Sequence, residues 1–147
     1  RGGSGKTETM KIVLDTNVLV SGLLTPFGTS GEIVRMVIAG ELTLCLDARI
    51  LSEYREVLKR PKFGFDQDRI DTLLGFIKQF GLFVLGTPLA EPLPDPDDEP
   101  FLEVALCGEA RVLITGNKAH FPKRSTKRMN TFSPSEFIKW HRKQRLK

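Results

Sequence analysis

Short apolar segments of strand length alternate along this chain with segments of helical periodicity, and this alternation constrains the fold more than any other feature. Residues 11–15 form a short, β-branched, apolar run, which is typical of a strand buried on both faces in a parallel sheet. The further predicted strands are 42–46, 82–85, 111–115 and, weakly, 129–132. Helical spacing, caps and prolines predict helices between them. These helices are 30–39, 48–59, 66–80, 101–107 and a last one that Ser133 caps and that runs to Arg145.

This order of elements predicts an α/β fold of three layers, with helices on both faces of a mostly parallel central sheet of four to five strands. The 147 residues have the length of one ordinary domain, predicted over residues 10–147. Residues 1–9 are polar and glycine-rich and are interpreted as a linker or added segment. Residues 3–7 end like a phosphate-binding loop but lack its first glycine and its preceding strand, so no nucleotide site is predicted there.

Composition narrows the class of protein. Hydrophobic residues make up 40% of the chain and charged residues 27%, which is typical of a globular protein. No apolar run approaches the roughly 20 residues of a membrane span, and no leader-like segment opens the chain, so a cytoplasmic protein without a membrane partner is expected. Cys45 and Cys107 each lie in an apolar stretch, which predicts reduced thiols that pack as small hydrophobes rather than a disulfide or zinc site.

Charge is distributed unevenly along the chain. Residues 111–147 contain 11 Lys or Arg and one acid, a net charge of +10, whereas residues 1–110 carry 11 bases and 17 acids, a net charge of −6. This split indicates a surface for a polyanion beside a cluster of carboxylates. A solvated C-terminal helix that keeps the protein soluble explains the basic segment equally well.

Three acidic positions are predicted to meet at one edge of the sheet. Asp15 ends the first strand, at the edge where open parallel sheets bind their ligands. On a helical wheel Glu53 lies at the border of the apolar stripe of residues 48–59, and Asp98 shares the inward stripe of the helix that follows it, with Asp95 just outside that helix. A purely structural alternative remains open for each position. Asp15 fits a helix N-cap, Glu53 fits a solvated residue at the edge of its helix, and Asp95 and Asp98 fit acids at a helix N-terminus.

The fourth strand brings Thr115-Gly116-Asn117 to the same edge. Carboxylates from distant parts of the chain would repel one another there unless a cation lay between them. Oxygen ligands without cysteine favour Mg²⁺ or Mn²⁺ over Zn²⁺, and such an ion suits phosphodiester hydrolysis.

Four segments in this order resemble the PIN domain, most closely the toxin components of bacterial and archaeal toxin–antitoxin pairs that are relatives of the VapC-type toxins. They are residues 12–21, Glu53 in a mid-chain helix, residues 95–102 and residues 114–122, and the resemblance covers the chain from Met10 to about Trp140. The resemblance implies an Mg²⁺- or Mn²⁺-dependent endoribonuclease that acts on RNA, forms a homodimer and is inhibited by a cognate antitoxin protein.

The resemblance also implies roles for individual residues. Asp15 and Asp98 would bind the metal, and Glu53 would bind it directly or through water. Asn117 would be the fourth catalytic residue, and it stands where many relatives have Asp, so the site has one charge fewer and a single ion is expected. The supporting residues would be Thr16, Asn17, Asp95 and Thr115, of which Thr115 would position a carboxylate or water.

RNA backbone contacts are expected from the basic third of the chain, and His120 is expected to be a surface turn residue rather than a catalytic one. The candidate RNA-binding residues are Arg111, Lys118, Lys123, Arg124, Lys127 and Arg128. The main alternative is a non-catalytic RNA-binding or antitoxin-docking module with a degenerate acidic site. A phosphoaspartyl hydrolase generally has a second Asp two residues after the first, and Asn17 at that position argues against this alternative.

Overall fold

A five-stranded sheet in which every strand pair is parallel forms the centre of the computed structural model, which describes residues 9–127 and 129–146. The strand order is β3-β2-β1-β4-β5. The strands are β1 (Met10–Leu14), β2 (Leu42–Leu46), β3 (Leu82–Phe83), β4 (Val112–Ile114) and β5 (Asn130–Phe132). Every residue of β4 is buried, as are Ile12, Val13 and Leu14 of β1, so helices cover both faces of the central strands. The three-layer α/β prediction is confirmed.

Seven α-helices lie within the described ranges. They are α1 (Thr16–Leu24), α2 (Thr29–Ile38), α3 (Ala48–Leu58), α4 (Gln67–Phe80), α5 (Glu99–Cys107), α6 (Lys123–Thr126) and α7 (Pro134–Arg145). The last helix begins as predicted, because Ser133 accepts a hydrogen bond from the Glu136 N–H while the Glu136 carboxylate accepts one from the Ser133 N–H. No helix in these ranges is both long and apolar enough to cross a membrane.

Helix α1 was not predicted, because its sequence is apolar nearly all round and so lacks an amphipathic period. Val18, Leu19 and Val20 are all buried. Gly22 lets α1 and α2 approach closely, since a Cβ there would lie 2.8 Å from Val34 Cγ2 and 2.9 Å from the Ser30 carbonyl oxygen.

Two other expectations need correction. Strand β3 is shorter than the predicted 82–85, because β2 ends at Leu46 and the Val84 N–H, 2.8 Å from the Leu46 oxygen, makes the last bond along that edge. Both cysteines are free thiols, but only Cys45 is buried, and Cys107 is exposed where α5 ends. Residues 3–7 and Arg128 lie outside the described residues.

The sheet has one point where the strand order reverses. From β1 the chain proceeds to β2 and β3 on one side, and then to β4 and β5 on the other. Leu14 of β1 pairs with Ile114 of β4, so Asp15 and Thr115 follow neighbouring strands at the same edge. This is the crevice in which open α/β sheets bind ligands.

Candidate active site

A cavity of about 630 Å³ lies at this edge of the sheet. Its acidic side is formed by residues from three separate parts of the chain, and we call the cavity the acid cleft. The acidic and imidazole side chains that line it are Asp15, Glu53, Glu56, Asp95, Asp97, Asp98 and His120.

Asp15 lies at the centre of the crevice and is 6% exposed. It occupies the N-cap position of α1, but its side chain makes no capping hydrogen bond. Its Oδ2 instead accepts a hydrogen bond of 2.7 Å from the Thr115 hydroxyl. Burial raises the pKa of Asp15, and the Thr115 hydrogen bond and nearby His120 partly oppose that rise. The side chain is therefore held in place by β4 and is not used to cap the helix.

Glu53 is brought beside Asp15 by the packing of α3. Tyr54, the next residue, is fully buried and donates a 2.7 Å hydrogen bond to the Leu14 carbonyl oxygen, which fixes α3 against the end of β1. The Thr16 hydroxyl donates to Glu53 Oε2. Burial raises the pKa of Glu53, and the nearby carboxylates, Asp15 first among them, raise it further. Glu53 is half-buried at the border of the apolar stripe, where the helical wheel puts it.

Asp98 is 8% exposed, whereas its neighbour Asp97 is exposed, which is the orientation that the helical wheel predicts. A 3-10 helix, Pro96–Asp98, precedes α5, and Asp95 begins it by accepting a 2.9 Å hydrogen bond from the Asp97 N–H. Asp98 itself makes no capping hydrogen bond. Burial and then the charge of Asp15 raise the pKa of Asp98 to about 6, against an opposing effect of His120.

His120 contacts this group of residues, which the sequence analysis did not predict. Its Nδ1 lies 3.1 Å from Asp98 Oδ2, yet without hydrogen-bond geometry, so this buried oxygen has no hydrogen-bond partner among the described residues. His120 Nε2 lies 2.9 Å from Asn117 Nδ2. Asn117 does not line the acid cleft, and it contacts the site through His120 and through its N–H, which donates to the Thr115 hydroxyl at 3.0 Å.

Three carboxylates of the acid cleft, those of Asp15, Glu53 and Asp98, lack a basic partner in the part of the chain that the structure describes. Across residues 9–127 and 129–146, no Lys or Arg lies within salt-bridge distance of Asp15, Glu53 or Asp98. No three acidic, imidazole or thiol groups of that part of the chain are arranged to hold a metal ion in common. The unpartnered Asp98 Oδ2 and the oxygen-only donors nevertheless fit an ion such as Mg²⁺, which proteins usually bind with one or two carboxylates and several waters.

The predicted RNA-binding residues lie elsewhere. Arg111 precedes β4, at the opposite end of that strand from Thr115, and its guanidinium lies 5.3 Å from the centre of the Trp140 ring. Lys118 forms a 3.0 Å ion pair with Glu136. Arg124 lines a small cavity beside α5. Lys118, Lys123 and Lys127 line a second cavity of about 630 Å³ along β5, which we call the β5 groove.

The cations that do line the acid cleft are Arg60 and Lys62, which the sequence analysis missed. They flank Pro61, where a 3-10 helix, Pro61–Phe63, follows α3. The signal available in the sequence was the cluster of bases directly after the helix that carries Glu53.

Comparison with known proteins agrees with this geometry. The family model described as PIN domain matches residues 11–119. This range contains all the acids that line the cleft, and it ends one residue before His120. The chain is also 28% identical over 112 residues to "Uncharacterized protein MJ1680" of Methanocaldococcus jannaschii, covering 74% of this chain and 72% of that protein. The chain belongs to the PIN-domain family, whose members are generally nucleases.

Proposed function

We propose that this protein is a metal-dependent endoribonuclease that hydrolyses RNA phosphodiester bonds with Mg²⁺ or Mn²⁺. We further propose that it acts in the cytoplasm as the toxin of a toxin–antitoxin pair, as a homodimer that a cognate antitoxin protein inhibits. The observation that supports hydrolysis most strongly is the convergence of Asp15, Glu53 and Asp98 on one cleft, where no Lys or Arg of the described residues lies within salt-bridge distance of them.

In this proposal Asp15 and Asp98 hold the ion, and Glu53 holds it directly or through water. A bound divalent ion supplies a water of lowered pKa and neutralises charge that develops on the phosphate. The chain's own contribution is orientation. Thr115 fixes Asp15 from the position directly after β4, and Thr16 fixes Glu53 from the first turn of α1. Asn117 adds no charge to the cleft, which supports a single ion rather than two.

The β5 groove supports an extended path for the RNA backbone. A 3-10 helix, Lys118–His120, separates the two cavities, since His120 lines the acid cleft while Lys118 and Ala119 line the β5 groove. Lys123 and Lys127 stand farther along the same groove. Contacts of lysine with phosphate position a strand without reading its sequence, so this surface fits the sugar–phosphate backbone on one side of the cut.

The experiment is incubation of the purified protein with a pool of structured and single-stranded RNAs, in Mn²⁺, in Mg²⁺ and in EDTA. We expect fragments in the presence of a metal, none in EDTA, and none from the Asp15→Asn variant. A DNA pool of the same sequences shows whether the sugar matters. Binding of RNA without fragments under every metal would contradict the proposal and favour a non-catalytic RNA-binding module.

The toxin role requires a cellular test. Induced expression of the wild-type protein is expected to arrest growth, and induced expression of the folded Asp15→Asn variant is not. Arrest by both proteins would separate toxicity from hydrolysis and contradict this part of the proposal. Light scattering of the purified chain tests the homodimer.

A further inference from the structure

We infer that His120 Nδ1 is a ligand of the divalent ion that the acid cleft would bind, and that this nitrogen shifts the preference of the cleft from Mg²⁺ toward Mn²⁺. The inference rests on the proposed function, because it concerns the ion that Asp15 and Asp98 would hold. It adds one imidazole to the proposed carboxylate ligands and gives a reason why one ion would bind better than the other. The observation that carries it is the position of the His120 ring against Asp98.

The His120 ring and the Asp98 carboxylate lie side by side. His120 Nδ1 is 3.1 Å from Asp98 Oδ2, but the two groups lack the geometry of a hydrogen bond, and this buried oxygen has no hydrogen-bond partner among the described residues. Adjacent ligands of an octahedral ion, each roughly 2.1 Å from it, are about 3 Å apart. The separation of this nitrogen and this oxygen is therefore that of two neighbouring ligands of one ion.

His120 also faces Asp15, since both residues line the acid cleft. Burial raises the pKa of Asp15 and of Asp98, and His120 opposes that rise at both, so its ring is within electrostatic range of the two carboxylates. An ion such as Mg²⁺ keeps several waters and needs few protein groups in direct contact. His120 and Asp98 supply one pair of direct ligands, and Asp15 stands beside that pair.

Asn117 holds the His120 ring in the orientation that a ligand needs. The His120 N–H donates to the Asn117 carbonyl oxygen at 3.1 Å, and His120 Nε2 lies 2.9 Å from Asn117 Nδ2. A neutral imidazole that binds an ion through Nδ1 carries its hydrogen on Nε2 and usually donates it to an oxygen. A half-turn of the Asn117 amide, which exchanges its oxygen and nitrogen, supplies that oxygen, and the side chain is exposed enough to make this turn.

The same short segment fixes Asp15. The Asn117 N–H donates to the Thr115 hydroxyl at 3.0 Å, and this hydroxyl donates to Asp15 Oδ2 at 2.7 Å. The turn that follows β4 therefore positions both the imidazole and one carboxylate. Asn117 acts in this arrangement as a positioning residue, through His120 on one side and through Thr115 on the other.

A nitrogen ligand changes which ion the cleft prefers. Mg²⁺ is a hard cation that takes oxygen ligands, whereas imidazole is a ligand typical of transition metals. A neutral imidazole also adds a donor atom without changing the charge that Asp15, Glu53 and Asp98 present. Both ions are attracted by those carboxylates, so the part of the affinity that depends on His120 is the part that distinguishes Mn²⁺ from Mg²⁺.

The test is calorimetric titration of Mn²⁺ and of Mg²⁺ into the metal-free protein, without RNA and without a histidine tag. His120→Ala is expected to weaken Mn²⁺ binding by at least about 10-fold and Mg²⁺ binding much less, since loss of a partner behind a ligand already costs about 10- to 100-fold. His120→Asp keeps a donor but replaces nitrogen by oxygen, and it is expected to bind Mg²⁺ at least as tightly as the wild type while losing the preference for Mn²⁺. Asn117→Ala is expected to lower the ratio of Mn²⁺ to Mg²⁺ affinity in the same direction as His120→Ala.

A spectroscopic signature identifies the ligand atom, because the chain has only two histidines. Pulsed electron paramagnetic resonance of bound Mn²⁺ is expected to show modulation by an imidazole nitrogen in the wild type and none in His120→Ala. His141→Ala is the matched control, since His141 stacks on Phe137 with ring centres 5.5 Å apart and does not line the cleft. It is expected to keep both the modulation and the preference for Mn²⁺. Circular dichroism shows whether each variant is folded.

Modulation that persists in folded His120→Ala, or equal losses of Mn²⁺ and Mg²⁺ affinity in that variant, would overturn the inference and leave the ring to packing. That outcome is distinguishable from failure of the proposed function. If the wild-type protein cleaves RNA and His120→Ala keeps the preference for Mn²⁺, the imidazole ligand alone is wrong. If the protein binds Mn²⁺ through His120 and cleaves nothing, hydrolysis alone is wrong. If the wild type binds neither ion, both are wrong.

Discussion

The acid cleft and the cluster formed by Asp47, Arg49 and Glu103 handle buried carboxylates in opposite ways. Arg49 Nη2 lies 2.7 Å from Asp47 Oδ2 and 2.9 Å from Glu103 Oε1, so the buried Glu103 has a cationic partner within the chain. In the cleft, Asp15 and Asp98 are equally buried, and neither has a Lys or Arg partner among the described residues. The chain neutralises the buried Glu103 with its own arginine and leaves Asp15 and Asp98 without a basic partner among the described residues.

The missing basic partners make the carboxylates of Asp15 and Asp98 costly to bury in their charged form. A buried carboxylate without a partner costs free energy, and the hydroxyls of Thr115 and Thr16 orient their carboxylates without neutralising them. The raised pKa values of Asp15, Glu53 and Asp98 express that cost. An external cation would remove it, whereas the Arg49 cluster needs none.

The largest expected effect is the loss of hydrolysis when the cleft loses a charge. Asp15→Asn or Asp98→Asn should reduce the cleavage rate by more than about 100-fold, because even the neighbours of metal ligands contribute 10- to 100-fold. The rate is measured as single-turnover cleavage of a fluorescent RNA. Asp71→Asn is the matched control, since Asp71 is an exposed acid of α4 paired with Lys59. Full activity of both cleft variants would contradict the comparison.

The next effect concerns orientation. Thr115→Val removes the hydrogen bond to Asp15 and should weaken Mn²⁺ affinity or cleavage by about 10- to 100-fold while the fold persists. Thr72→Val is the matched control, because the Thr72 hydroxyl donates to the Asp68 carbonyl oxygen on the exposed side of α4 and lines neither the acid cleft nor the β5 groove. Equal behaviour of the two variants would show that the Thr115 bond has no part in function.

The site residues differ in how far the sequence predicts them. The positions of Asp15 and Thr115 follow from strands that end at one edge of a parallel sheet, and those of Glu53 and Asp98 from helical periodicity. His120, Arg60 and Lys62 lie on or beside 3-10 helices, where no period tells which way a side chain points.

The sequence also predicts that the last third of the chain is basic without predicting where its basic side chains lie on the fold. Its net charge of +10 is a property of composition, and it says nothing about which end of a strand a residue occupies. Arg111 precedes β4 and Thr115 follows it, so the two stand at opposite edges of the sheet. Helix α1 was missed for a related reason, since a helix that is apolar on most of its circumference, with only a narrow exposed strip, has a weak amphipathic pattern.

Breaking the compensated cluster should reduce stability and not chemistry. Arg49→Ala leaves Glu103 without its cation and should lower the free energy of unfolding by about 1–3 kcal/mol, a range reduced because half of the Arg49 side chain is exposed. Arg55→Ala, at an exposed position of the same helix, controls for loss of an arginine. Urea unfolding at pH 7 measures both. A loss of cleavage by folded Arg49→Ala would put this cluster in the functional site.

The smallest expected effect is a gain in stability when Asp98 loses its charge. The pKa of Asp98 is about 6 in the folded protein and 3.8 ordinarily, so the unfolded chain loses this proton at lower pH. The charged form therefore favours unfolding, and stability of the metal-free protein falls as pH rises from about 4 to 6. Asp98→Asn lacks this fall and should be more stable than the wild type in EDTA at pH 7, by on the order of 1 kcal/mol, and equal to it near pH 4. Lower stability of the variant at pH 7 would contradict this sign, and the exposed Asp97→Asn is the control.

The most direct test of the central claim is calorimetric titration of Mn²⁺ into the metal-free protein at pH 7, without RNA. We expect saturable binding of one ion per chain, lost in Asp15→Asn and in Asp98→Asn and retained in Arg49→Ala. Absence of saturable binding by the wild-type protein, or equal binding by the Asp15→Asn variant, would contradict the claim that the acid cleft is left charged for a divalent cation.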